Sequence, residues 1–401
     1  MSIESRSRPP QVALRLKRAL GGRAGWGGFV LQIVFVLILV WIGYEIFVNA
    51  RANLENQRIT SGFGFLNNTA GFDVSQSLIP YSGSDTYTRV FLVGLLNTIL
   101  VSVIGIVFAT LIGFIVALGR LSPNWLMSRV AGGYVELIRN LPLLFQMLFW
   151  YLAVLAALPG PRQSISLFGA VFLSNRGLII PRPIGQAGLA PFMVALLLAI
   201  VASIFVHYHA RRQLFEKGKA IKVWPIVLGL LIGLPLLTTL VFGMPFTVEM
   251  PALKGFNFAG GVRVIPELVA LAVALSTYTA AFIAEIVRAG ILSVHKGQME
   301  AGLSLGLGRG SVLRLIVIPQ AMRVILPPLT NQYLNLTKNS SLAVAIGYPD
   351  LVSVFAGTTL SQTGQAIEII AITMGVYLAL SLLTSGIMSF YNWRLSRSLG
   401  T

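Results

Sequence analysis

Apolar stretches long enough to cross a bilayer recur along this chain, and no other feature restricts its fold as much. They run from Phe29 to Val48, Val90 to Leu118, Ala190 to Tyr208, Val223 to Phe242, Pro266 to Val287, Val324 to Ala345 and Ile367 to Tyr391. One more span enters through Tyr134 to Tyr151. A helix of about 20 apolar residues spans the hydrocarbon layer because it satisfies its backbone polar groups internally. Of the 401 residues 55% are hydrophobic and only 11% charged, too few charges to coat a soluble surface of that size. The expected fold is an all-α membrane protein with eight transmembrane helices.

The cations sort by side. Arg6, Arg8, Arg15, Lys17, Arg18 and Arg23 stand in the first 28 residues against one acid, Glu4. Across the chain 20 of 30 Lys and Arg lie on the side of the two termini and 8 on the other. That bias places both termini in the cytoplasm. The net charge of +17 would suit a nucleic-acid binder, but the positive residues occupy loops where topology and anionic lipid account for them. The lipid bilayer is the expected partner, and nucleic acid is not. The chain divides into a basic tail (1–28), a first helix with its outer loop (29–89), a main body (90–391) and a short tail (392–401). Within the main body lie a helix pair (about 190–243) and a polar loop (about 293–319). Pro159 to Leu189 and Gly243 to Arg263, rich in Pro and Gly, read as outer loops.

Chemistry is scarce. The chain has no Cys, and His207 and His209 are two apart and do not share a helical face, so neither thiol nor metal catalysis is expected. Gly306-Leu307-Gly308-Arg309-Gly310-Ser311 lacks the Lys of a phosphate-binding loop and follows no strand. A membrane enzyme would need a convergent nucleophile, acid–base pair or metal set, and three loop His with thirteen mostly interfacial acids are poor material for one. An ion-coupled transporter would show inverted repeats with broken helices, and none is evident.

The polar loop is more informative. Ser293 can cap a short helix, Glu300 sits in an early turn that favours an anion, and Gly306 offers a left-handed stop. Met299, Leu303 and Leu307 are spaced i, i+4, i+8, an apolar stripe suited to a partner's groove or to the helix's own subunit. Glu300-Ala301-Gly302, three residues, Gly306, nine residues, then Ile316-Val317-Ile318-Pro319 resembles the EAA loop of binding-protein-dependent ABC importer permeases. Gly302 stands for the second Ala and Ile318 for Leu. The flanks, Ala284 to Ile291 and Pro319 to Arg323 with Pro327-Pro328-Leu329, look like the amino-acid branch of that family.

The resemblance implies a type I importer transmembrane fold with an extra amino-terminal helix and an inserted helix pair. It implies a transporter subunit in the bacterial inner membrane, not an enzyme. The chain itself binds no cofactor; ATP and Mg sit on a partner ATPase dimer. A second homologous permease and a periplasmic amino-acid-binding protein complete the set of partners. ATPase coupling is carried onto Gly297, Glu300, Ala301, Gly302, Leu303, Gly306, Arg309 and Pro319. The segment from Glu136 through Arg139, Asn140 and Gln146 resembles the second core helix of polar amino-acid permeases. With Glu285 and Lys338 it supplies the candidate substrate path or gate. Glu136 and Arg139 also suit a local i, i+3 ion pair, and Lys338 a snorkelling cation at a helix end. The extra helices look like those of broad-specificity L-amino-acid importers of Gram-negative bacteria.

Overall fold

The computed structural model describes residues 26–56, 62–218 and 221–398; most of the basic tail expected at 1–28 lies outside them. Contacts divide the chain into two units, residues 1–65 with 360–369, and residues 66–359 with 370–401. In the first, helix α1 (Trp26–Asn56) carries the apolar stretch Val30–Ile46, and the Gly62 N–H donates to Glu368 Oε1 at 2.6 Å.

The second unit is a helical bundle. Helices α2 (Tyr87–Arg120) and α3 (Trp125–Asn140) are followed by α4 (Leu143–Leu148), which widens into a π-helical segment over Phe149–Leu155. Then come α5 (Leu189–Lys217), α6 (Val223–Phe242), α7 (Pro266–Leu292) and the short α8 (Lys296–Ser304). A last helical run joins α9 (Arg309–Val312), a π segment (Leu313–Val317), α10 (Ile318–Asn339) and a 3-10 turn ending at Ile346. A π segment (Val352–Thr359) follows; α11 (Leu360–Thr363) and the first residues of α12 (Ala366–Ser398) belong to the first unit, and the rest of α12 to the second.

Among the described residues six helices are long and apolar enough to cross a membrane: α2, α5, α6, α7, the run Arg309–Ile346, and α12. A seventh crossing exists only if α3 and the α4 segment count as one, and these meet at 106°. The count therefore differs from eight unbroken spans. Two things lower the count: the apolar stretch of α1, Val30–Ile46, is shorter than the others, and α3 breaks from α4 at Pro142, which has no N–H to continue the helix and holds Leu141 extended (φ −100°, ψ 130°). The buried Gln146 amide donates to the Ile138 and Leu141 carbonyls at 3.0 and 3.1 Å, covering acceptors that the break leaves open.

The core lies between α2, α7 and α10. Gly94, Asn97, Ser102, Gly105 and Gly113 are all buried on α2, as their size and polarity anticipated. At Gly113 α2 and α7 approach closely, since a Cβ there would stand 2.7 Å from Ile283 of α7. Asn97 donates to the Gln76 and Pro349 carbonyls, and Thr98 Oγ1 accepts from the Leu351 N–H, pinning the chain after α10 against α2.

The two Pro- and Gly-rich segments expected to be outer loops form a β layer, which the all-α expectation missed. Strands β1 (Ile165–Leu167), β2 (Val171–Ser174), β3 (Gly177–Ile180) and β4 (Arg182–Gly185) precede the inserted helix pair. Strands β5 (Phe246–Glu249), β6 (Ala252–Lys254), β7 (Asn257–Ala259) and β8 (Val262–Val264) follow it. A sheet of order β1-β2-β3-β8 closes across the insertion through Leu178↔Val264, while β4 pairs with β5 from Arg182↔Glu249 to Gly185↔Phe246. Because α7 is unbroken, the β layer at its amino end and α8 past its carboxyl end lie at opposite ends of one rod.

Candidate functional site

The loop singled out in the sequence folds into α8 and a tight turn. His295, not Ser293, caps α8: its Nδ1 accepts from the Gly297 N–H at 3.1 Å. Ser293 instead finishes α7, its hydroxyl donating to the Gly290 carbonyl. Glu300 stands in the second turn, exposed, next to exposed Ala301. Gly306 takes φ +78°. Its N–H donates to Leu303 O and that of Leu307 to Gly302 O, a Schellman ending that satisfies the last carbonyls of α8. Leu307 thus lies beyond the helix, and the expected stripe breaks up: Met299 and Leu307 are half-buried, while Leu303 and Leu305 face outward.

Gly302 explains its own departure from the EAA pattern. It is buried against the next helix, and a Cβ there would stand 2.9 Å from Val312 and 3.1 Å from Ile316. Arg309 opens α9 and is exposed. Pro319 follows the π segment, where its missing N–H leaves the carbonyl one turn back without its usual helical donor.

Glu285 is held between two cations. Its carboxylate accepts from Arg288 at 2.6 Å on its own helix and from Arg120 at the end of α2. The three side chains are mostly covered, so this group ties α2 to α7 about two turns before the α8 loop. Glu136 and Arg139 are exposed on α3 and form no ion pair with each other among the described residues. Arg139 instead lies over the Phe282 ring, 5.1 Å from its centroid. Asn140, exposed, is the last residue of α3, and Gln146 serves the break described above. Lys338 is exposed and lines a cavity of about 440 Å³ with Ser341, Thr373, Tyr377 and Ser381.

Asp350 escaped notice in the sequence. It lies between two spans, fully buried, and among the described residues no cation pairs with it. Its Oδ1 accepts from the Ser353 N–H at 2.8 Å and its Oδ2 from the Tyr377 hydroxyl at 3.4 Å. Burial pushes its carboxyl up to about 7 despite those bonds. The signal was legible as an Asp three residues before Ser353, ahead of an apolar turn, the pattern of a helix cap.

The model of the family "binding-protein-dependent transport system inner membrane component" matches residues 223–397, which hold α6 to α12 and the whole α8 turn. Over 368 residues the chain is 54% identical to the putative amino-acid ABC transporter permease protein YhdX of Escherichia coli (strain K12), covering 92% of this chain and 94% of that one. The chain belongs to this permease family. It is also 50% identical to the general L-amino acid transport system permease protein AapQ of Rhizobium johnstonii, over 91% of each chain. The glutamate/glutamine/aspartate/asparagine transport system permease protein BztB of Rhodobacter capsulatus is 39% identical over 96% of this chain and 97% of its own. Matches over more than nine-tenths of this chain are long enough to take in the β layer and the α5–α6 pair.

Proposed function

We propose that this chain is one permease subunit of an ATP-driven importer of L-amino acids, with the type I transmembrane fold. It forms half of the translocation path, facing a second, homologous permease. A pair of ATPase subunits holds ATP and Mg, and a binding protein delivers substrate at the opposite face. The cation bias supports an orientation with both termini in the cytoplasm, the α8 end inside and the β layer outside, and α1 with the bent α3–α4 pair would bring the crossings to eight. The observation that carries the proposal is α8 itself. It is a nine-residue helix between two long ones, fixed at its end by Gly306, with Glu300, Ala301, Leu303 and Leu305 turned outward. Such a helix suits a groove on a partner and passes that partner's motion to α7 and α10.

The names of the relatives support the substrate class. A zwitterion in transit needs partners for both charges, and exposed Glu136, Arg139 and Lys338 provide them, with the Lys338 cavity as the place where a carboxylate is held.

Two variants test the coupling role. Gly306→Val places a branched side chain at a left-handed position, a strain of about 1–2 kcal/mol that falls on the turn and not on the spans. Glu300→Arg reverses the exposed charge of α8. Both are expected at normal membrane levels, with the ATPase either lost on purification or hydrolysing ATP without uptake in reconstituted vesicles. Wild-type behaviour of both variants in co-purification, hydrolysis and uptake would overturn the assignment.

A further inference from the structure

The β layer carries features that transport through the bundle does not use. Its two segments, 159–188 and 243–265, hold Arg162, Arg176, Arg182, Lys254 and Arg263, all exposed, against a single acid, Glu249. Arg176 and Arg263 line a cavity of about 340 Å³ together with Asn257 and Phe258. Both guanidinium groups are fixed: that of Arg176 donates to Asn257 Oδ1, and Arg263 Nε donates to the Arg176 carbonyl at 3.4 Å. Two positioned forks beside one cavity suit a carboxylate.

The β1–β2 hairpin adds an apolar anchor. Its turn puts Phe168 at φ +54° and Gly169 at φ +67°, a conformation that Gly or Asn adopts easily and Phe only under strain. Phe168 is also completely exposed, at 102% of its reference area, so among the described residues its side chain packs against nothing that would offset the strain. A strained, fully exposed aromatic residue points to a role outside the folded chain. β8 leads straight into α7, so the sheet order β1-β2-β3-β8 sets this hairpin at the edge three strands from the bundle.

We infer that the β layer is the docking platform for the substrate-delivering binding protein, with the Arg176–Arg263 cavity receiving a carboxylate side chain from an acidic patch on that protein and Phe168 anchoring the contact. This rests on the permease reading above, which puts the β layer on the side of delivery. A second copy of this chain is a poor occupant, because it would bring the same excess of cations to the same face.

The test uses the complete transporter in vesicles of zwitterionic lipid, with uptake followed against the concentration of liganded binding protein at several salt concentrations. Phe168→Gly relieves the turn and keeps the fold, yet is expected to raise the half-saturating concentration about tenfold at unchanged maximal uptake, as for an interface anchor. Arg176→Glu with Arg263→Glu should raise it further and flatten its dependence on salt. Unchanged half-saturation in both variants, with uptake intact, overturns the platform alone; absence of ATP-driven uptake in the wild type overturns the permease reading and the platform together. A shift that appears only when anionic lipid is added assigns the surface to lipid and likewise overturns the inference.

Discussion

Asp350 concentrates the most chemistry into one side chain. Its folded carboxyl is raised to about 7, so the native state holds a proton there that the unfolded chain, with an ordinary carboxyl, releases at lower pH. Stability from this group is full below the unfolded value near 3.8 and is lost as pH rises through about 7. Thermal unfolding of the purified protein should therefore show a midpoint that falls between pH 5 and pH 7. Asp350→Asn keeps an acceptor for the Ser353 N–H and should flatten that fall. A midpoint in the wild type that rises over this window would contradict the assignment. Neighbouring charges do not supply the trend: Tyr377 and Tyr348 face this group, and burial raises the Tyr348 hydroxyl above its usual range, outside the window. Gly302 and Gly306 show how unevenly single residues speak in a sequence. Gly306 announced its left-handed turn as a glycine placed to stop a short helix, whereas the crowding that requires Gly302 comes from Val312 and Ile316, ten and fourteen residues on.

At the scale of elements, local periodicity made the long helices legible, because each declares its own length in apolar residues. What stayed hidden depends on partners. The cap of α8 went to His295 and not Ser293, since Ser293 sits where α7 is still closing its last turn. The break at Pro142 was visible as a proline, but its angle follows from where Gln146 and the neighbouring helices hold the two pieces. Glu285 read as a path residue by its place near a helix end, and only the approach of α2 reveals Arg120 beside it. This contact gives a test of how α2 and α7 are held together. Arg120→Ala should lower stability by about 1.5–3 kcal/mol, the range for hydrogen bonds to charged groups. Glu285→Ala should cost more, because it strands two cations, and the two losses should be non-additive in a double-mutant cycle followed by thermal unfolding. Additive losses would mean that the pair contributes nothing as a pair.

For the whole molecule, the inserted α5–α6 hairpin leaves and re-enters the β layer at adjacent positions, Gly185 opposite Phe246, with the Gln186 N–H donating to the Pro245 carbonyl. An Asn-Gly turn joining Gly185 directly to Phe246 matches the geometry of a two-residue hairpin. Replacing residues 186–245 in this way should leave the β3–β8 pairing, the α2–α7–α10 core and ATPase co-purification intact. Loss of the ATPase or of a monodisperse bundle would show that the pair is part of the core and not an addition to it.

The β3–β8 pairing also sets a clock. Ile179 must wait for Arg263, 84 positions later, before its strand has a second neighbour. At about 5–20 residues per second of synthesis, that leaves the edge of β3 open for roughly 4–17 s. Two membrane helices must be made and inserted in the interval. During biogenesis the nascent chain thus presents a hairpin with an unpaired strand, a template for wrong partners that closes only when β8 arrives.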